Sequence, residues 1–289
     1  MILGRKVLVK IDLDVIARTY FWFDKAVPYK LNNDNVLYIQ PVKVKDSEMF
    51  LSWLDILTID KNALPNPTYI SMSYLEFIVD TLLTNQDETI SQTAISKLVC
   101  ICKLCLGWDG SINIRLNDRN KPLLCYGNIE ISGKQFEDIK NIILYQNIFD
   151  YDDSYINPDI KQAIEEVNSI KNRDIDFPTL ERRMAIVSSH TGILKKDQEE
   201  MTYRSHCVLF KEICGEVDFV SVRTAVMVGN MFSKQKIDLE DWIYKKKHNK
   251  YEQYFTSQDS YKNSMGGSTN IKSSISESNM SLDLNSLNL

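Results

Sequence analysis

YIQPVKVKDSEMFLSWLDILTIDKNALPNPTYISMSYLEF, residues 38–77, decides the fold class. It opens on the end of a β-branched run that stops at Pro41. A polar turn at Asp46–Ser47 follows, and Ser47 is a candidate helix cap. Over 47–58, Phe50, Leu51, Leu54 and Leu57 recur at helical intervals with Trp53 beside them. Pro65 and Pro67 close that segment, because proline cannot donate into a helix and restricts the residue before it. Ser73 with Glu76 three residues later is a capping-box signature for a second helix over 73–84. The stretch is built of packing surfaces and carries no catalytic motif.

Working outward, VLVKI (7–11) and VLYIQ (36–40) read as strands, and TISQTAISKLVCICKLCL (89–106) as a third helix, with Ile95, Leu98, Val99, Cys102 and Leu106 on its inner side. The period then changes from helical to alternating. SINIRLN (111–117), PLLCY (122–126) and IEI (129–131), joined by DRNK and Gly127–Asn128, read as an antiparallel β-meander. Ser132 with Gln135 opens a helix at 133–147, and Pro158 opens another over 158–171. NRDIDF (172–177) reads as a linker. Beyond it, helices are expected over 178–191 with Gly192 as a left-handed cap, from Asp197–Glu200 to Ile213, over 216–231, and briefly after Asp238. Residues 256–289 are rich in Ser and Asn and too poor in apolar side chains to offset chain entropy, so they are expected to be disordered.

The expected architecture is mainly α with a small β component (α+β). An N-terminal α+β domain covers 1–150, with the meander at about 111–131. A C-terminal helical bundle covers 157–250, and the tail follows at 256–289.

The chain has 289 residues with a net charge of −5. An acidic balance gives no electrostatic reason to seek nucleic acid or anionic membrane. Ten glycines are few for a nucleotide-cradling enzyme. No apolar run approaches the ~20 residues of a membrane span, and the N-terminus lacks the pattern of a signal peptide. Six cysteines in such a chain are expected to be free thiols, with Cys100, Cys102 and Cys105 packed in a helix rather than ligating metal. The acidic run DYDDSYINPD (150–159) lacks the spacing, glycine and closing glutamate of a calcium loop.

Catalytic signatures are missing: there is no GxSxG, HExxH, Walker or GxGxxG pattern. The adjacent pair His206–Cys207 is the best enzyme candidate, and neighbours on a helix point in different directions. Helix–Thr-Gly–helix at 180–213 has a helix-turn-helix outline, but KKDQEEMTYRSH enters the second helix with acidic residues where a DNA reader needs basic and amide ones. The basic run KKKHNK (245–250) suits a solvated helix end.

Several blocks together carry a resemblance: VPYKL (27–31), YIQPVKVKD (38–46), LTIDKNALPNPTYISMSYLEF (57–77), NDRNKPLLCYGNIEISGKQFEDIKNIILYQN (117–147), LERRMAIVSSHTGILKKDQEEMTYRSHCVLFKEI (180–213) and GNMFSKQKIDLEDWIY (229–244). In these the chain resembles a family of proteins from phages of low-GC Gram-positive bacteria, similar to tail or baseplate assembly chaperones. The resemblance implies a non-catalytic assembly factor that binds apolar surfaces of tail, tape-measure or baseplate subunits. It implies action in the cytoplasm of the bacterial host, with no cofactor, no metal and no small-molecule substrate. Two other readings stand beside it: a structural tail or baseplate component residing in the virion tail, and a helix-turn-helix DNA-binding regulator. Candidate partner-binding residues are the aromatics and methionine suited to an apolar groove: Trp22, Phe23, Tyr29, Phe50, Trp53, Met72, Tyr74 and Trp242.

Overall fold

The structure, a computed structural model, describes residues 12–31, 35–61, 64, 66–84, 86–152 and 158–232. It is mostly helical, with one two-stranded and one three-stranded antiparallel sheet, as the sequence pattern predicts. The chain divides into two compact units. Unit 1 comprises Met1–Ser154 and Leu180–Phe210, and unit 2 comprises Tyr155–Thr179 and Lys211–Leu289.

Unit 1 begins with α1 (Leu13–Thr19), whose first amides are capped by the Asp12 carboxylate. A 3-10 turn at Phe21–Phe23 leads to β1 (Val27–Lys30), which pairs with β2 (Val36–Ile39) in the register Val27↔Ile39 to Lys30↔Val36. The 36–40 strand is therefore real, with its partner at 27–30. The strand expected at 7–11 lies outside the described residues.

The predicted 47–58 helix is present in two pieces, α2 (Ser47–Trp53) and α3 (Asp55–Thr58). Ser47 does not cap it. Its hydroxyl is buried and donates to the Val44 carbonyl, so it closes the preceding turn instead. α4 (Pro67–Ser71) starts on proline, with the Asn66 side chain accepting from Thr68 N–H. α5 (Tyr74–Ile78) has the predicted capping box, with Ser73 and Glu76 bonded reciprocally, and runs into a π-helical turn at Val79–Leu83.

α6 (Glu88–Leu106) is the central helix. By length and composition alone it could cross a membrane, contrary to the expectation that no segment comes close. It packs Ala94, Leu98, Ile101, Cys102 and Cys105 into the core instead. Ile95, expected on the inner side, is exposed, because the buried stripe is set by 94, 98, 101, 102 and 105.

β3 (Ile112–Leu116), β4 (Pro122–Tyr126) and β5 (Ile129–Ser132) form the expected meander in the order β3-β4-β5. α7 (Gly133–Asn147) follows directly, opened by the predicted Ser132–Gln135 box. α7 packs against α5 so closely that only glycine fits at its first position. A Cβ on Gly133 would sit 2.8 Å from Ser73 Cβ and nearer still to its hydroxyl. The core joins both sheets to α2, α5, α6 and α7 through Ile39, Phe50, Leu75, Phe77, Ile78, Ile101, Leu124, Ile131 and Ile142. Each such side chain stabilises the unit by about 1.5–3 kcal/mol through burial.

α9 (Leu180–Thr191) ends on Gly192 in the left-handed conformation, as expected. The helices expected from 197 and from 216 are not two separate elements. α10 (Lys195–Gln198) is a single turn, and α11 (Tyr203–Phe232) then runs unbroken for 30 residues, since Gly215 is accommodated within a long helical pattern. The expected boundary also shifts. Leu180–Phe210 belongs with the N-terminal unit rather than with a domain at 157–250, because it is bonded there by its backbone.

Unit 2 contains α8 (Pro158–Asn172) and the Lys211–Phe232 portion of α11. α8 has no buried side chain among its described residues. The expected short helix after Asp238, the basic run 245–250 and the tail 256–289 lie outside the described residues.

Candidate functional site: an aromatic knuckle

The sequence YFWFDK (20–25) places two large aromatics side by side on the surface of unit 1. Phe21 turns inward and is buried, whereas its neighbours Trp22 and Phe23 turn outward, 63% and 62% exposed. Two adjacent large aromatics in water are unfavourable by the apolar area they leave wet. The geometry that holds them there is elaborate for a surface loop.

Asp24 sits at φ 56°, ψ 31°, a left-handed conformation that aspartate tolerates better than most side chains. Its amide donates to the Phe21 carbonyl and the Lys25 amide to the Tyr20 carbonyl, closing the turn. Its carboxylate accepts from two hydroxyls that are remote in sequence, Thr202 Oγ1 at 2.5 Å and Ser205 Oγ at 2.6 Å. Arg204 lies between them. Its Nη1 donates to the Tyr145 carbonyl at 2.9 Å, and its guanidinium packs 5.8 Å from the Phe21 ring and 5.4 Å from the Phe149 ring. Burial lowers the Arg204 pKa, opposed by the carboxylates of Asp150 and Asp24. Gln146 Nε2 donates to the Lys25 carbonyl, and the Lys25 ammonium lies 5.3 Å from the Phe23 ring.

The residues that hold the knuckle are fixed in turn. The 199–203 segment lies along 42–45 like an added strand. Tyr203 N–H donates to the Val42 carbonyl, Val44 N–H to Met201, and Lys45 N–H to Glu199, with an isolated bridge at Lys43↔Thr202. Val42 N–H is satisfied by the buried Asn147 Oδ1 at 2.7 Å. At the surface, Lys43 and Lys45 both reach Glu200, at 2.5 and 2.6 Å, and their hydrogen bonds hold its carboxyl down at about 2.

Behind this segment, Gln198 is fully buried. Its Nε2 donates to Met184 O, Ser188 Oγ and Ile193 O, so its Oε1 must accept. The donor is His206 Nε2, at 3.2 Å, which fixes the imidazole as the Nε2–H tautomer. Burial, reinforced by the Arg183 charge, pushes His206 down to about 4 and keeps it neutral. Burial also raises the Cys207 thiol above its usual value. His206 is thus committed to Gln198 and Cys207 remains protonated, so the two do not form an activated thiolate–imidazole pair.

The helix-turn-helix outline fares similarly. The element after the Thr-Gly turn is the four-residue α10, and the first turns of α11 bury Tyr203, His206, Cys207 and Phe210 rather than presenting them to a groove.

Of the eight candidate contact residues, Trp22 and Phe23 stand together and bare. Phe50 and Tyr74 are withdrawn from the contact surface because both are core. Phe50 is completely buried, and the Tyr74 hydroxyl donates to Ile56 O and accepts from Ile59 N–H. Tyr29 is half-buried and donates to Asp138 Oδ2 at 2.9 Å, and burial raises its pKa. Trp53 is half-buried and lines a shallow depression of about 430 Å³ with Ser52, Gln92, Thr93, Ser96 and Lys97. Met72 is half-buried, and its carbonyl accepts from Lys61. Trp242 lies outside the described residues.

The positioning residues Asp24, Thr202, Arg204 and Ser205 are absent from the sequence-based set, because their pairing spans about 180 residues. The one local signal was Asp24 itself, a residue suited to positive φ directly after three aromatics. Among the described residues, no group of three or more His, Cys, Asp or Glu could hold a metal ion. Comparison with protein-family models, with curated proteins and with solved structures found no match to this chain.

Proposed function

We propose that the protein is a non-catalytic binding protein that covers apolar surfaces of other polypeptides through the Trp22–Phe23 knuckle, in the role of a phage tail or baseplate assembly factor. The observation that carries this reading is the contrast between exposure and restraint. Trp22 and Phe23 are bare, yet the turn beneath them is pinned by Phe21, Asp24, Thr202, Ser205 and Arg204. A preorganised aromatic pair loses little conformational entropy on binding and presents the residue types that dominate interface energetics. The phage role rests on the resemblance of the sequence blocks and on the need of tail subunits to have apolar faces masked before they polymerise.

Co-expression with tail, tape-measure and baseplate subunits tests the proposal. A stable complex, or a gain in the soluble fraction of one subunit, is expected with the wild-type chain and not with Trp22→Ser/Phe23→Ser. Failure of every subunit to bind or to gain solubility contradicts it. A permanent place in the tail would use the same surface, and mass spectrometry of purified particles separates the two: an assembly factor is absent from them, a component is present at fixed copy number.

A further inference from the structure

We infer that unit 1 holds a buried site for inorganic phosphate, built from Arg183 on α9 and from Tyr203 and His206 at the start of α11. This inference is independent of the aromatic knuckle. The three side chains are 7%, 3% and 0% exposed. Each carries a buried polar atom with no hydrogen-bond partner: Nε and Nη1 of Arg183, the hydroxyl of Tyr203 and Nδ1 of His206. Buried polar atoms are nearly always bonded, so such a group of orphans on neighbouring side chains points to a ligand that they are built to meet.

The three residues lie together. Tyr203 and His206 stand one helical turn apart on α11 and share a face. The Tyr203 hydroxyl lies beside the Arg183 guanidinium and the Cys207 thiol without reaching hydrogen-bond geometry with either. The positive charge of Arg183 reaches the His206 ring. Gln198 ties α9 to α11, donating to Met184 O and accepting from His206.

Charge decides the class of ligand. No carboxylate among the described residues forms an ion pair with Arg183. Glu181, on the same helix, pairs with Lys195, and the Asp150 carboxylate acts on Arg204 and Cys207. A guanidinium in a protein does not shed its proton, so its burial is relieved only by an opposing charge. A water molecule satisfies donors but leaves the charge; an anion does both.

The donor set then selects among anions. Arg183 and Tyr203 offer N–H and O–H groups. His206 Nε2–H is taken by Gln198, so Nδ1 presents a lone pair and requires a donor. Hydrogen phosphate has oxygens for the first two residues and an O–H for the third. Sulfate, chloride and ionised carboxylates only accept. Side chains this enclosed suit the free ion and not a phosphate carried on a larger molecule.

Titration calorimetry on the full chain, in phosphate-free buffer at constant ionic strength, tests the inference. Inorganic phosphate should bind at one site with a Kd below about 1 mM. Sulfate and methyl phosphate should each bind at least about tenfold more weakly, the first lacking the O–H and the second carrying an ester group. Arg183→Met should abolish binding, and phosphate should raise the melting temperature of the wild type but not of this variant. Tyr203→Phe, which removes a single oxygen, should raise the phosphate Kd about tenfold and keeps the test decisive if Arg183→Met does not fold. No binding up to about 10 mM phosphate, an affinity unchanged in Tyr203→Phe, or sulfate or methyl phosphate binding as tightly as phosphate overturns the inference.

Discussion

Replacing Asp24 separates the two physical reasons for its presence. Its carboxylate accepts from Thr202 and Ser205 at 2.5 and 2.6 Å. A hydrogen bond to a charged group contributes about 1.5–3 kcal/mol when buried, but Asp24 is exposed, so about 1 kcal/mol for each is appropriate here. Thr202 is buried, and orphaning its hydroxyl adds up to about 1 kcal/mol. The backbone sits at φ 56°, where alanine is strained by roughly 1 kcal/mol and glycine is not. Asp24→Ala should therefore cost about 3–4 kcal/mol and Asp24→Gly about 2–3. Asp24→Asn, which tolerates the conformation and keeps a neutral acceptor, should cost about 1. Urea unfolding followed by circular dichroism gives these values, and a double-mutant cycle with Thr202→Val should show coupling of about 1 kcal/mol. Hydrogen exchange should quicken at the Asp24 and Lys25 amides, which close the turn. A reversed order with glycine the worst substitution, or no coupling to Thr202, would refute this reasoning.

Three further outcomes follow from the same geometry. His206 is held neutral in the folded chain at about 4, below its unfolded value near 6.5, so the unfolded state binds the extra proton. Its contribution is complete above about pH 6.5 and is lost as the pH falls to about 4, up to about 3 kcal/mol in all. His206→Gln should flatten that part of a stability–pH curve measured by urea titration. Gly133→Ala should lower stability by about 1–3 kcal/mol in thermal unfolding, because the added methyl meets Ser73, which caps α5; Ser73→Gly in the same chain should recover part of the loss. Burial pushes the thiol of Cys102 up to about 12 and that of Cys105 higher still, so a thiol reagent at pH 8 should label both only on unfolding, and labelling in the native state at the rate of a free thiol would contradict their packing.

Local chemistry made much of the fold legible. Capping boxes at Ser73–Glu76 and Ser132–Gln135, the left-handed cap at Gly192 and the change of period at 111–131 all lie within a few residues of what they determine. What escaped the sequence is spatial. Nothing local indicates that 199–203 adds itself to 42–45, so the unit boundary falls elsewhere than the linker composition suggests. Ser47 has the identity of a cap, but its hydroxyl is taken by Val44 O. At the site, aromatic identity alone could not sort Phe50 and Tyr74, which the core absorbs, from Trp22 and Phe23, which it leaves out. Only the packing of Phe21 and the reach of Asp24 to Thr202 decide that.

The central claim is that two restrained aromatics bind an apolar surface of another polypeptide. It is tested most directly by the affinity of the wild-type chain and of Trp22→Ser/Phe23→Ser for a co-purifying tail or baseplate subunit, measured by isothermal titration. Because both side chains are already largely in water, the double variant should unfold within about 0.5 kcal/mol of the wild type while its Kd rises at least about thirtyfold, as expected for losing two interface aromatics. An unchanged Kd at unchanged stability would contradict the account.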